Sequence, residues 1–460
     1  MSDVATEPWW ASALRAVVGG RRVILAGSVA AVWTEHVPVL RAAGATEILV
    51  VATEGPGTGP QPDAPTVICA VPSSAATLME RIHATNRTLE SPPAEVLAAV
   101  SDFDRDGSAV VIGTFLNTAS RLAGRPFLSY RRPEWVALED KVVVDAFWDR
   151  AGVHRQPSTV VPLDEASRAA PTLDLGTGTV WAADARDGFH GGAEHTRWVV
   201  DSATAAQATA ALADHCDRVR VMPFVEGIPC SIHGIVLPDG VAVLRPVEMV
   251  VLRRQDAAVR ELFYAGCATF WDPPAAIREQ MTDVARRVGE RLGTEVDFRG
   301  TFTVDGVAAA DGFWPTELNP RFGAGINTIA RAGGEVPILL VNEVVGSGAS
   351  LGISATDLEH QLRTAADAAR GGGTWKPGLG AGETPVSRPL AFADGAWRWA
   401  IDGDEVAGQL TAGPGLVRCA YTPEATPVGP STGPRAAAFW AFADRELGTC
   451  TGPLTAAPSG

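Results

Sequence analysis

Short, uninterrupted apolar runs alternating with helix-patterned segments constrain the first third of the chain more than any other feature. The runs at 23–27, 47–51, 66–70 and 109–113 are strand-length and show no polar alternation. Between them, 33–43, 75–88 and 93–101 carry helical spacing. Strands that are apolar on both faces and alternate with helices predict a parallel sheet covered on each side. We place this α/β segment at 1–135. Gly27 and Gly44 form no G-x-G-x-x-G run, so a dinucleotide site is not expected. The Gly- and Pro-rich stretch 54–65 reads as an exposed loop.

From 136 to 345 the pattern changes. Strands at 179–183, 196–200, 218–224, 230–237 and 241–251 follow one another, with a turn at Pro238-Asp239-Gly240. Helices are expected at 140–151, 203–213 and 274–292, then strands at 300–304 and 313–318. Successive strands with segregated helices imply an α+β segment with antiparallel sheets. The third segment, 346–460, has a helix at 357–369, Gly371-Gly372-Gly373, short strands at 396–401 and 416–421, and a closing helix at 434–447.

Composition excludes several classes. With 53 acidic and 38 basic residues the net charge is −15, the wrong sign for a nucleic-acid surface. At 46% apolar the chain is no disordered segment. The apolar run 23–33 falls short of the roughly 20 residues that span a bilayer. No basic leader precedes it, so a cytoplasmic protein without a membrane partner is expected. Cys69, Cys216, Cys230, Cys267, Cys419 and Cys450 are scattered without C-x-x-C spacing and read as buried apolar side chains. Lys141 and Lys376 are the two lysines among the 38 basic residues, so a lysine inside a motif stands out.

The sharpest chemical signal is Asp305 followed by Glu317-Leu318-Asn319-Pro320-Arg321. Glu317 and Asn319, two apart on a strand, share one face. Asp305 lies at hairpin distance upstream. Two carboxylates and an amide oxygen form a hard-oxygen set suited to Mg²⁺ beside nucleotide phosphates. Arg321, on the same side, suits an anionic substrate or intermediate. Read alone, the run is also an ordinary strand end.

Three weaker signals accompany it. Arg186-Asp187-Gly188-Phe189-His190-Gly191-Gly192 follows a strand, and its glycines let backbone N–H groups approach phosphates. Arg186 and His190 add charge, although a surface hairpin loop would look alike. Met222, Phe224 and Val225 end a strand in a hinge able to face adenine, with Glu226 near the ribose. Asp140-Lys141 starts a helix and offers a phosphate lysine. His233, Arg245, Glu248 and Arg253 lie near the strands after the hinge; Arg245 and Glu248, three apart, take opposite faces. Trp9, Trp10, Trp397 and Trp399 read as packing aromatics. No Ser/His/Asp or Cys/His arrangement has recognisable spacing.

In this order, Asp-Lys, glycine loop, hinge and Asp…Glu-x-Asn-Pro-Arg, residues 136–345 resemble the ATP-grasp superfamily. Runs 184–192 and 315–321 look most like the pheganomycin-type peptide ligases and their actinobacterial relatives. The resemblance implies an ATP-grasp fold of α/β and α+β parts: a preceding domain at 1–135, the ATP-grasp domain at 136–345 and a small C-terminal domain at 346–460. It implies a ligase joining a carboxylate and an amine or peptide through an acyl phosphate, using ATP and Mg²⁺ (or Mn²⁺), often as a homodimer. Asp305, Glu317 and Asn319 would hold metal. Lys141, Arg186, Gly188, His190, Gly191, Gly192, Met222, Phe224, Val225 and Glu226 would hold nucleotide. Arg321 and Arg186 would act on the reacting groups. Two departures stand out. The strand before the loop, Val180-Trp181-Ala182-Ala183, lacks the lysine most members carry, and no carboxylate follows Gly227. They leave open a non-catalytic ATP-binding module. A carboxylase of the same superfamily is a weaker reading, because nothing in the tail resembles a carrier.

Overall fold

The computed structural model describes residues 7–69, 77–186, 188–256, 259–332, 336–382 and 384–458. After α1 (Trp9–Val18) come β1 (Arg22–Val29), α2 (His36–Ala42), β2 (Glu47–Gly55), β3 (Thr66–Ile68), α3 (Leu78–Glu90), α4 (Ala94–Phe103) and β4 (Val110–Ile112). The strands form the expected parallel sheet, ordered β3-β2-β1-β4. Its two faces bury alternate residues of the same strands. Val23, Leu25 and Val50 enter one core, and Ile24, Ala26 and Val51 another. Each such side chain contributes about 1.5–3 kcal/mol by leaving water.

Local chemistry sets the helix starts. Thr77 and Glu80 form a reciprocal capping box that begins α3; residues 70–76, which include the start expected at 75, lie outside the described residues. The helix expected over 33–43 begins at His36, after a 3₁₀ turn at Ala30–Trp33. Pro38, lacking an N–H, fits a first turn and would break a helix running through 34.

The chain then passes a short hairpin, β5 (Arg121–Leu122) and β6 (Arg125–Pro126), to α5 (Pro133–Val136) and α6 (Val144–Arg150). The helix expected at 140 therefore starts at Val144. The Asp140 carboxylate instead accepts from the N–H groups of Val142 at 3.1 Å and Ala185 at 3.2 Å, which places Lys141 in a turn. A second, antiparallel sheet is built from β7 (Thr159–Pro162), β8 (Thr179–Ala183), β9 (Thr196–Val199) and β10 (Arg218–Pro223), ordered β7-β10-β8-β9. The short helix α7 (Ala166–Ala169) and α8 (Ser202–Leu212) supply Ala166, Ala205, Ala208 and Leu212 to its core, with Trp181 and Val219.

A third sheet joins everything that follows. It contains β11 (Ile228–Leu237), β12 (Gly240–Val243), β13 (Val247–Asp256), β14 (Val259–Ala268), β15 (Gly300–Ala309) and β16 (Gly312–Asn319). The expected strand 241–251 is split, because Pro246 has no N–H for a ladder; Leu244 N–H bonds the His233 carbonyl at 2.8 Å instead. α9 (Ala275–Glu295) packs Met281, Val288 and Leu292 against Phe302 and Leu318. After α10 (Ala324–Ala332), α11 (Ile338–Gly346) and α12 (Ala355–Ala368), β17 (Gly372–Pro377) pairs with β14. Through β17 the sheet continues into β18 (Val386–Ala393), β19 (Ala396–Trp399), β20 (Gly408–Gly413) and β21 (Leu416–Tyr421). α13 (Gly433–Leu447) and β22 (Leu454–Thr455) complete the chain. The segment expected from 346 thus shares its sheet with the strands before it, and its Leu390, Trp397, Leu410, Phe439 and Trp440 pack in one core with Val250, Leu252 and Phe263 of β13 and β14. No helix among the described residues is long and apolar enough to cross a membrane. Five cysteines are buried and Cys450 is exposed.

Candidate functional site

Antiparallel register assembles the site. On β16, β15 and β11, Glu317 lies opposite Asp305, which lies opposite Ser231. One step along, Asn319 lies opposite Thr303, which lies opposite His233. Residues two apart share a face, so these two rows form one polar patch. It lines a cavity of about 380 Å³ between the second and third sheets. Lys141, Gly192, Met222, Phe224, Val225 and Arg321 line the same cavity.

The polar groups are tightly paired. Lys141 Nζ is 2.6 Å from Glu317 Oε1 and donates to the Glu139 carbonyl at 3.3 Å. Asp305 accepts from Ser231 Oγ at 2.5 Å and from Asn319 Nδ2 at 2.9 Å. Arg321 donates to Asn319 Oδ1 at 2.9 Å and to Glu139 Oε2 at 3.2 Å, and Arg131 pairs with the other Glu139 oxygen. Removing one partner of such a buried pair costs about 3–5 kcal/mol. Burial, reinforced by the facing Glu317 carboxylate, pushes the Asp305 carboxyl up to about 7. Burial also acts to raise Glu317, but the charge and hydrogen bond of Lys141, with Arg321, outweigh it and hold Glu317 below its ordinary value. Two carboxylates and an amide oxygen on one face form an oxygen donor set that fits a divalent cation held by Asp305, Glu317 and Asn319. Among the described residues no group of three or more His, Cys, Asp or Glu is placed to hold a metal, so any such site draws on the amide.

The far end of the cavity is apolar. Val180, Ala182, Met222, Val225 and Leu262 face it. Phe224 stacks on Trp198 with centroids 4.2 Å apart. Its N–H goes to the Gly178 carbonyl at 3.0 Å, and its carbonyl takes the Thr177 hydroxyl at 3.0 Å. Both Phe224 backbone groups are therefore engaged. Glu226 turns to Arg253, at 3.1 and 2.6 Å, and is not among the lining residues.

The glycine loop divides. Gly192 lines the cavity, and a Cβ on Gly191 would lie 3.8 Å from Arg321 Nη2. His190 sits behind the loop, donating from Nε2 towards the Ala183 and Asp184 carbonyls at 3.2 Å; burial, then Lys141 and His195, hold its pKa down at about 4. Gly188 packs by His83, whose Nε2 lies 2.9 Å from the Phe189 carbonyl, and Arg131 covers the Phe189 ring at 4.3 Å. Asp187 lies outside the described residues. Arg186 is not among the cavity-lining residues: its guanidinium pairs with Asp217 at 3.2 Å and the Asp214 carbonyl.

Of the other expected candidates, His233 and Arg253 line the cavity. Arg245 is buried in a network with Asp272 and Asp367, and Glu248 accepts from the Thr432 N–H and hydroxyl at 2.7 Å. Both hold the fold. Glu139, Ser231, Thr303 and Phe115 escaped sequence reasoning. Ser231 and His233 share the period-2 face of a strand that was legible, whereas Glu139 and Phe115 carry no pattern.

No family model and no curated protein matches the sequence. Solved structures do match. The biotin carboxylase domain of 2-oxoglutarate carboxylase from Hydrogenobacter thermophilus, solved with MgADP, ADP and bicarbonate, aligns at 14% identity and TM-score 0.55, over 88% of this chain and 86% of that one. An L-amino acid ligase from Bacillus licheniformis aligns at 12% identity and TM-score 0.52, over 96% and 100%. Biotin carboxylase from Campylobacter jejuni, in complex with β-γ-ATP, aligns at 11% identity and TM-score 0.54, over 88% and 89%. The likeness is one of fold: the chain has the ATP-grasp fold, a parallel sheet followed by antiparallel sheets that enclose a cleft.

Proposed function

We propose that this ATP-grasp fold serves an ATP- and Mg²⁺-dependent carboxylate–amine ligase, which makes an amide or peptide bond and releases ADP and phosphate. The observation that carries the reading is the convergence of Lys141, Asp305, Glu317, Asn319 and Arg321 on one cavity whose other end is an apolar slot. The slot beside Met222 and Val225 suits an adenine ring. Asp305, Glu317 and Asn319 would hold Mg²⁺, which would supply neutralising charge at the nucleotide phosphates. Lys141 meets a phosphate, and Gly191 and Gly192 let the loop backbone approach. Arg321, steadied by Glu139, orients the substrate carboxylate. A carboxylate oxygen bonds to the γ-phosphorus as ADP leaves. The amine nitrogen then bonds to the acyl carbon, losing a proton as phosphate departs. The protein's share is positioning and fixed charge.

The runs 184–192 and 315–321 support the finer reading of a peptide ligase in natural-product biosynthesis. A second reading, an ATP-binding module without turnover, is favoured by the lysine-free wall of Val180 and Ala182. Mass spectrometry after incubation with ATP, Mg²⁺ and pooled acids and amines separates the two. A ligase yields ADP and an amide when both substrates are present. AMP with pyrophosphate contradicts the acyl-phosphate route, and nucleotide binding with no turnover on any pair favours the module.

A further inference from the structure

Past the oxygen patch, away from the hinge, the cavity continues along β11, β13 and β14. Its walls there are Phe115, Val247, Met249, Tyr264, Cys267 and Phe322. The charged residues lining the cavity as a whole are Lys141, Arg253, Asp305, Glu317 and Arg321, and each already has a polar partner. None of the walls named for this extension is charged. Burial holds the Tyr264 hydroxyl well above its ordinary pKa and the Cys267 thiol at about 12, so both stay neutral.

His233 adds a buried ring nitrogen to this surface. His233 is 1% exposed, and its Nδ1 is 2.9 Å from Thr303 Oγ1. Its Nε2 is buried without a partner. An orphaned buried nitrogen is costly, so it marks a place where another hydrogen-bonding group belongs. Two glycines border that edge, where any side chain would collide with the ring. A Cβ on Gly325 would lie 2.4 Å from Nε2, and a Cβ on Gly323 would lie 3.1 Å from Cε1. Both glycines also line the cavity.

We infer that this extension is a substrate pocket for an amino acid with an uncharged, apolar side chain, and that His233 Nε2 is the hydrogen-bonding group that recognises it. The assignment of the occupant as one of two condensing substrates rests on the ligase reading above. The selectivity follows from the walls. An apolar side chain gains by burial against Val247, Met249 and the rings. A carboxylate or guanidinium would be stripped of water there with no partner to meet it.

The test is calorimetric titration of amino acids into the full chain loaded with Mg²⁺ and β,γ-imido-ATP, with leucine, phenylalanine, glutamate and arginine as probes. Leucine and phenylalanine should bind at least about tenfold more tightly than glutamate and arginine. His233→Asn keeps an amide where Nδ1 meets Thr303 and removes Nε2; it should weaken leucine about tenfold. His233→Gln, whose amide reaches the Nε2 position, should restore most of that loss. The affinity of β,γ-imido-ATP should stay within about twofold in both variants, and their melting curves report that the fold is kept. Equal or tighter binding of the charged amino acids, wild-type leucine affinity in His233→Asn, or no amino-acid binding at all would overturn the inference. Leucine binding that depends on His233, with no ADP released on any acid and amine pair, would instead contradict the ligase reading and leave the pocket standing.

Discussion

The oxygen-rich end of the cavity and its hinge end are built by opposite means. At the first, Asp305, Asn319 and Arg321 form a hydrogen-bonded chain and Lys141 pairs with Glu317, the two joined through Glu139. At the second, Val180, Ala182, Met222, Val225 and Leu262 present apolar surface, and Phe224 has both backbone groups spent within its own sheet. One end is a fixed electrostatic environment of paired charges; the other is a slot that selects by shape. The two cations proposed for phosphates differ in the same way. Lys141 is buried against Glu317, whereas Arg186 sits at the surface with Asp217. Charge contacts made inside a dry cavity are worth far more than those made in solvent. Variants at the oxygen end should therefore change chemistry, and variants of Arg186 should change little.

The largest effect is expected from Glu317→Gln. It deletes one of two carboxylates held for the cation and strips Lys141 of its ion-pair partner. Turnover, followed as substrate-dependent ADP release, should fall about 10²–10³-fold or more, while circular dichroism keeps its native shape; near-normal activity would remove Glu317 from the metal set. Next, Lys141→Met should raise the KM for ATP by about tenfold to a hundredfold, as one charge-assisted hydrogen bond is lost from a buried site. An unchanged KM would mean that Lys141 serves Glu317 alone. Arg321→Lys should cost about tenfold in kcat/KM for the acid substrate. An ammonium keeps the charge but cannot bridge Asn319 and Glu139 as the planar guanidinium does. Parity between the two side chains would show that charge suffices there. The smallest effect belongs to Arg186→Ala, with activity within about twofold and stability within about 1 kcal/mol by thermal melting. A large loss there would return this arginine to the site and erase the contrast between the two cations.

The contrast also explains what was legible in the sequence. The parallel sheet at 22–112 and the pairing of Asp305 with Glu317 follow from apolar runs and strand periodicity, which are local signals. The hinge and the glycine loop were recognisable as positions, because Met222 and Phe224 sit at the end of a patterned strand and Gly192 in a glycine-rich loop after one. What the pattern could not carry is partner choice. Glu226 is as well placed in sequence to meet a ribose as to meet Arg253, and only the fold brings β13 beside it. Arg186 lies in a phosphate-loop motif but points to Asp217, 31 residues on. Glu139, which steadies Arg321 from 182 residues away, had no local signature. The start of α6 was misplaced for a related reason: Asp140 spends its carboxylate on the Ala185 N–H, a contact across 45 residues.

In the proposed function the oxygen end drives phosphoryl transfer from ATP to a carboxylate. The most direct test uses an acid substrate labelled with ¹⁸O in its carboxylate, incubated with ATP, Mg²⁺ and an amine, with the phosphorus products resolved by ³¹P NMR. One ¹⁸O should appear in the inorganic phosphate and none in the nucleotide. Label appearing in AMP, or phosphate released without label while amide accumulates, would contradict it.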